Sequence, residues 1–340
     1  MDNLTHSLAG AVIGQLGLKK KTGLGMVTLI IAANIPDIDA AATLLGGVQH
    51  LAIRRGITHG PIAMVVLPLI LTAIMLWFDR WQTRRGKRPA DRLPIHKGWL
   101  LALAYIGCLS HPALDWLNSY GIRLLEPFSS QWYYGDSIFI IDIWIWAALI
   151  AGVWISRRRE KKGRDDWQRP AWASFTVICA YIFANGLITG KAEADTAVAV
   201  EQRTGHAPEQ VVANPMPFTF WRRDMIWQVA GANGKEYGET QFDLFDREPF
   251  YWKGELIKNN TPPHIIEQAK KTDADARAFM VWARMPVLQQ DIDADDPSAV
   301  SLNISDMRFR DPLVQDRFSV QTTVSGDMET MQPKTGIGSK

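Results

Sequence analysis

The sequence predicts a membrane α-helical bundle followed by a small α+β domain, mostly antiparallel. Three observations predict it. Charge divides the 340 residues near Gly190: residues 1–190 carry 20 Lys+Arg and 12 Asp+Glu, whereas residues 191–340 carry 17 and 23. The overall charge of +2 and mean hydropathy of -0.07 conceal that division. Four apolar runs in the first part are each near the ~20 residues that cross a bilayer core. The second part alternates apolar and polar residues around turn signals, the pattern of half-buried strands. The expected organisation is a helical membrane domain over 1–190, a soluble extracytoplasmic domain over 191–329 and a disordered tail over 330–340.

Two short apolar stretches come first, Leu4–Leu18 and Leu24–Ile35. Both read as helices, and whether they span is left open. The start lacks the pattern of a cleaved signal, because the Lys19-Lys20-Lys21 cluster follows the first apolar run. Four spans are then expected at Pro61–Phe78, Gly98–Leu117, Ile138–Ile155 and Ala171–Gly190. Trp77, Trp99, Trp116, Trp154 and Trp172 stand near their ends, where aromatic belts form. Asp79–Lys97 and Ser156–Arg169 each hold seven basic residues, so the positive-inside rule places both in the cytoplasm. Asn118–Ser137 holds one, Arg123, and falls outside with the domain that follows Gly190. Arg54 and Arg55 lie in an outer connector, against the rule, and need another reason to be there. The basic excess sits in short connectors, so no nucleic-acid partner is expected.

That orientation uses no histidine or carboxylate. It nevertheless puts His6, Asp37, Asp39, His59, His111, Asp115, Asp136 and Asp142 at helix ends on one side. Ionisable groups at membrane depth are expensive and usually functional, and imidazoles with carboxylates suit a divalent metal. His111 and Asp115 are spaced i, i+4 and share a helix face; Pro112 between them can kink that helix. Pro36 disfavours helix at Ile35, so Asp37 and Asp39 lie at a helix end. They could bridge two metals, bind one and orient a histidine, or simply form a turn. Asp142, among isoleucines and tryptophans, reads as a carboxylate in need of a partner. His50, His96, His206 and His264 lack this context. Cys108 and Cys179 sit inside apolar runs, so neither a disulfide nor a thiolate zinc site is expected.

Four motifs occur in order: Thr5-His6, Pro36-Asp37-Ile38-Asp39, Arg55-Gly56-Ile57-Thr58-His59-Gly60 and Ser110-His111-Pro112-Ala113-Leu114-Asp115. Asn118-Ser119-Tyr120-Gly121, Pro127-Phe128-Ser129 and Ile140-Ile141-Asp142 follow. Together they resemble the YdjM-like (LexA-regulated type) family of bacterial inner-membrane proteins, over roughly residues 1–155. The resemblance implies a metal-dependent hydrolase with His6, Asp37, Asp39, His59, His111 and Asp115 as metal ligands. Asp37, Asp39 and His59 are its catalytic candidates, and Asp136, Asp142, Arg54 and Arg55 are secondary candidates. The family is in turn similar to zinc-dependent phospholipase C and P1-type nucleases.

Metals held by His and Asp lower the pKa of water and stabilise charge on a phosphoryl oxygen. Arg54, Arg55 or Arg123 could clamp a phosphate or meet lipid headgroups. The expected activity is therefore hydrolysis of a phosphoester, lipid-linked substrates included, at the outer face of the inner membrane. Zinc is expected, with manganese or magnesium as alternatives. A transporter would need polar residues continuing to the cytoplasmic side, yet Ile70–Phe78 and Ala147–Ile155 are apolar. A non-enzymatic metal-stabilised scaffold would need a closed site.

Beyond Gly190 the expectations are a helix at Glu193–Arg203 and a hairpin of Phe218–Val229 and Glu236–Phe245 turning at Asn233-Gly234. Strands are expected at Asp275–Arg284, Ala299–Arg310 and Arg317–Val324, and a helix at Pro263–Lys271. Trp221, Trp227, Trp252 and Trp282 read as core.

Overall fold

Helix α1 (Asn3–Gln15) starts where the Asp2 carboxylate accepts from the backbone nitrogens of Leu4 and Thr5. Helix α2 (Gly25–Ala32) passes with a 41° bend into a 3-10 stretch, Ile35–Leu45, with Pro36 in its first turn. Next come α3 (His50–Ile53), a 3-10 turn at Ile57–His59, α4 (Pro61–Arg84) and α5 (Lys97–Trp116). Helices α6 (Ile143–Lys161) and α7 (Arg169–Thr204) complete the bundle. The computed structural model describes residues 1–231, 234–259, 261–292, 299–310 and 318–325.

Small residues let the site-bearing helices meet closely. A Cβ at Gly107 of α5 would stand 2.7 Å from Ala32 Cβ and 2.8 Å from Leu29 O on α2. The backbone of α2 therefore lies directly against α5. Leu71 and Met75 of α4 close the same core with Leu100, Ala104 and Cys108 of α5.

Among the described residues, α4 and α7 are long and apolar enough to cross a membrane, and α2 with its bent continuation makes a third candidate. Four spans were expected. Two of the runs fall short for identifiable reasons. Ile138–Ile155 is not helical throughout: the helix begins at Ile143, because Asp142 caps it. In α5 the apolar run is interrupted near its end by Ser110, His111, Pro112 and Asp115. The helix nevertheless runs on through Pro112 to Trp116. The bundle has two distinct ends. Lys19 and Lys20 pair with Glu160 near the end of α6, Lys20 at 3.0 Å. His96 N, at the start of α5, donates to Thr22 Oγ1 at 2.8 Å. The Lys19–Lys21 cluster and the other basic connectors thus gather at one end, and the ends of α4 and α5 that carry His59, His111 and Asp115 lie at the other.

Helix α7 has 36 residues, about 54 Å at 1.5 Å per residue, far more than the ~30 Å core of a bilayer. The expected separate helix at Glu193–Arg203 is its continuation. Nothing breaks the chain at Gly190: Lys191-Ala192-Glu193-Ala194 are good helix formers, and Ala192 and Val200 are buried against the sheet.

The sheet domain opens with an antiparallel meander. Strands β1 (Gln210–Pro215), β2 (Arg222–Gly231), β3 (Gly234–Asp243) and β4 (Phe250–Asn259) pair in that order. The expected hairpin is β2–β3, closing at the pair Gly231–Gly234; Asn233 lies outside the described residues. Helices α8 (Pro263–Thr272) and α9 (Ala274–Trp282) lead to a second sheet of β5 (Pro286–Ile292), β6 (Ala299–Asp306) and β7 (Ser319–Ser325). The segment Asp275–Arg284, expected as a strand, is mostly α9. Asp273 caps that helix through the nitrogens of Asp275 and Ala276, and Ala276, Phe279 and Trp282 are buried at helical spacing. Strand β6 ends at Asp306, before a 3-10 turn at Met307–Phe309. Arg317 and the expected tail, 330–340, lie outside the described residues. Trp227 and Trp282 are core; Trp221 and Trp252 are half-buried.

The sheet domain docks on the site end of the bundle. Leu51 of α3 is buried with Phe279 and Trp282. Trp132 Nε1 donates to Val281 O at 2.8 Å, Arg284 pairs with Asp136 at 2.8 Å, and Arg308 Nη1 donates to Ser119 O at 2.8 Å.

Candidate metal centre

Helix α5 presents His111 and Asp115 one turn apart, with His111 Nε2 and Asp115 Oδ2 separated by 3.4 Å. His111 Nδ1 lies 2.7 Å from the carbonyl of Ala33. A carbonyl can only accept, so Nδ1 carries a proton and Nε2 of the neutral ring faces the site as a lone pair. The turn at Ile57–His59 delivers the second imidazole. Thr58 Oγ1 donates to Asp39 Oδ2 at 2.9 Å, which leaves the hydroxyl oxygen to accept from His59 Nδ1, also at 2.9 Å. Asp39 Oδ2 itself lies 3.3 Å from His59 Nδ1. His59 Nε2 is thus the second inward lone pair.

The two Nε2 atoms stand 3.1 Å apart. Lone pairs at that distance repel unless a cation or a further proton lies between them. Two nitrogens bound at 2.0–2.1 Å to one tetrahedral ion lie about 3.3 Å apart. Asp115 Oδ2 is 3.5 Å from His59 Nε2 and makes no hydrogen bond although buried. Asp37 Oδ1 completes the group, 3.7 Å from His111 Nε2. One donor atom from each of Asp37, His59, His111 and Asp115 lies within 4.8 Å of all the others. This N2O2 set fits a divalent metal, because one carboxylate oxygen is orphaned and two imidazoles oppose each other.

The remaining candidates surround that group. His6 stacks on His111 with centroids 3.8 Å apart, and its Nε2 is 3.3 Å from the other oxygen of Asp115. It abuts the four-donor group without belonging to it. Asp39 stands behind His59 as its orienting carboxylate, the arrangement in which one aspartate binds and the other positions. Arg55 is buried: Nη2 donates to Asp115 Oδ1 at 3.0 Å, and Nη1 donates to Asn118 Oδ1 and Gly121 O. The amino group of Met1 is a further partner of Asp115 Oδ1. Arg54 is more exposed, with Nη2 3.3 Å from Asp37 Oδ1.

The first 192 residues match the family model described as YdjM inner membrane protein. The chain belongs to that family. The match contains every residue of the four-donor group, with His6, Asp39, Arg54 and Arg55, and ends inside α7, ahead of the sheets. No curated protein and no solved structure matches the chain. The more distant similarity to phospholipase C and P1 nuclease stays an expectation.

Two secondary candidates lie elsewhere. Asp142 is the N-cap of α6, accepting from the nitrogens of Trp144 and Ile145 and from the Tyr181 hydroxyl. An aspartate immediately ahead of Ile-Trp-Ile-Trp is a helix-start signal, and that explains its place among apolar neighbours. Asp136 pairs with Arg284 of the sheet domain. Burial pushes its carboxyl above the ordinary range, and Arg284 draws it back only in part. Thr58, Asn118 and Tyr120 stand in the sequence motifs but were assigned no role from the sequence. Thr58 and Asn118 hydrogen-bond to site residues and the Tyr120 ring lies against the Arg55 guanidinium; spacing carries no signal for such contacts.

Proposed function

We propose that the chain is a membrane-bound, metal-dependent hydrolase of phosphoesters, working at the outer face of a bacterial inner membrane. The observation that carries this reading is the pair of opposed Nε2 atoms with the unpartnered Asp115 Oδ2 beside them. Asp37, His59, His111 and Asp115 would hold the ion, zinc first by its N/O donor set. A divalent ion there supplies Lewis acidity and lowers the pKa of water. The chain's own groups do the rest. Asp39 and Thr58 fix the ring of His59. Arg55 neutralises the back of Asp115. Asp39 Oδ1, buried and 3.8 Å from Arg54 Nε without a hydrogen bond of its own, can hold a proton taken from water.

A second reading has one observation in its favour. His59, His111 and Asp115 are almost completely buried, as a metal-stabilised scaffold would require. Protein purified in detergent separates the two. The hydrolase reading expects near-stoichiometric metal and turnover of model phosphoesters, both lost in His111→Ala and Asp115→Asn. Bound metal with no turnover, and unfolding when the metal is chelated, would establish the scaffold instead.

A further inference from the structure

Which phosphoester the site takes is written in its rim. Helix α4 begins two residues after His59. Its exposed side chains Ile62, Val65, Leu69, Ile70, Ile74 and Trp77 form a stripe at helical spacing. In a span of this hydropathy such a stripe faces lipid. The same apolar surface continues onto the site loops. Ile57, in the His59 turn, is 66% exposed, and Ile38, between Asp37 and Asp39, is 62% exposed. Phe128 is 75% exposed, on a loop so close to that turn that a Cβ on Gly60 would stand 2.0 Å from Glu126 O. Ligand-bearing loops with bare isoleucines beside each ligand belong in an interface, because a water-facing mouth would not keep them.

Three arginines could meet a phosphate, and the structure separates them. Arg55 is committed to Asp115, Asn118 and Gly121. Arg123 is committed to Glu126 at 3.0 Å and to the Ala52 carbonyl at 2.6 Å. Arg54 remains: its side chain is 28% exposed, Nη2 donates to Asp37 Oδ1 at 3.3 Å and the buried Nε lies 3.8 Å from Asp39 Oδ1, which leaves the edge bearing Nη1 for a ligand. A guanidinium N–H on that edge can make a charge-assisted hydrogen bond to a phosphate oxygen.

We infer that the substrate is a bilayer lipid, with its phosphate received by Arg54 and its chains lying against Ile57, Phe128 and the outer face of α4. A single available guanidinium inside an apolar rim suits one anionic headgroup and not a soluble polyanion. The inference rests on the hydrolase reading for its chemistry, but its test reads binding. The protein in phosphatidylcholine nanodiscs is labelled with a photoactivatable phosphatidic acid, and in parallel with the matching diacylglycerol. Labelled peptides are then mapped by mass spectrometry. The phosphate-bearing probe is expected to label the Ile57 and Phe128 peptides at least fivefold more than the neutral one. Arg54→Gln should abolish that preference, Arg54→Lys should keep part of it, and Ile57→Ser should reduce labelling at the rim. Labelling of α7 around Val177, an exposed residue of the other long apolar helix, reports bulk lipid; it should stay the same in all four proteins and shows that the variants are folded. Equal labelling by both probes, or a preference that survives Arg54→Gln, overturns the inference. So does displacement by millimolar inorganic phosphate as efficient as by unlabelled phosphatidic acid, since that would make free phosphate the ligand. Headgroup-selective labelling without turnover would reject the hydrolase and leave the lipid site standing.

Discussion

Arg55 Nη2 donates to Asp115 Oδ1 at 3.0 Å, joining two fully interior charges from segments 60 residues apart in sequence. The peptide nitrogen of Arg55 also donates to Asp39 Oδ2 at 2.7 Å, and the residue is held at φ 54°. One arginine therefore ties the carboxylate that faces the two imidazoles to the carboxylate that orients one of them. It also accounts for a basic residue where charge counts disfavour one. Removing one partner of a buried pair costs about 3–5 kcal/mol, because the other charge is left uncompensated. Arg55→Gln should accordingly lower the thermal stability of the metal-free protein sharply. Added zinc should recover part of the loss, since an ion on Asp115 supplies the missing positive charge. Thermal melts with and without metal check this; an unchanged metal-free melting temperature would contradict it.

Thr58 and Asp39 act on the metal through His59. Partners that fix a ligand imidazole are worth about 10–100-fold in metal affinity. Thr58→Val keeps the shape and removes the hydroxyl that bridges Asp39 and His59. It should weaken zinc by that factor while leaving stoichiometry intact, whereas His59→Ala should remove a ligand and lose more. Competition against a chelating dye reads both. Equal affinities for wild type and Thr58→Val would make the hydroxyl incidental.

How much of this was legible in the sequence follows from what each residue does. His111 and Asp115 were legible because i, i+4 spacing fixes a shared face whatever surrounds it. The convergence of His59 and Asp37 on them was legible from topology, since charge bias in the connectors says which helix ends gather. His6 and Asp39 were found as candidates, but their places behind Asp115 and His59 depend on ring stacking and a threonine hydroxyl. Asp142 illustrates a competing signal. A carboxylate at the head of an apolar helix satisfies backbone nitrogens as readily as a metal, and capping won. In the sheet domain, Asp275–Arg284 reads as a strand from its sequence, whereas Ala276, Phe279 and Trp282 turn their burial to helical spacing behind the Asp273 cap. The docking of the sheets onto Asp136 and Ser119 could not be read at all. It depends on long-range contacts that no local pattern encodes.

Asp306 gives the sheet domain an acid limit. It is completely buried; burial pushes its carboxyl up, but the adjacent Arg308 guanidinium and the backbone nitrogens of Arg308 and Met285 outweigh this and hold it below the ordinary range. A carboxylate depressed in the folded state contributes stability that is present above its unfolded pKa of about 3.9, and that stability is lost as pH falls through the folded value. Unfolding followed from pH 7 down to pH 2 should show wild type losing stability below about pH 4. Asp306→Asn should start lower at pH 7 and lose less on acidification, so that the two curves approach each other. Parallel curves over the whole range would mean that Asp306 does not set the limit.

Arg308 carries the same pair across to the bundle. Besides Asp306 it reaches Ser119 O at 2.8 Å, and its guanidinium lies over the ring of Trp282 at 4.5 Å. Trp282 packs against Tyr120 with centroids 5.3 Å apart, and Tyr120 lies under the Arg55 guanidinium at 4.6 Å. The loop that follows Asp115 is thus held from both sides, by the sheet domain above and by Arg55 below. Residues coupled through shared partners deviate from additivity by about 0.5–3 kcal/mol. A double-mutant cycle of Arg308→Lys with Tyr120→Leu should show coupling of that size in stability. Each single variant should also weaken zinc binding, although both residues lie outside the four-donor group. A buttress requires both results together. Additive stabilities with unchanged zinc affinity would reduce the sheet domain to a neighbour of the site, and Tyr120 would then serve the core of α9 rather than the position of Arg55.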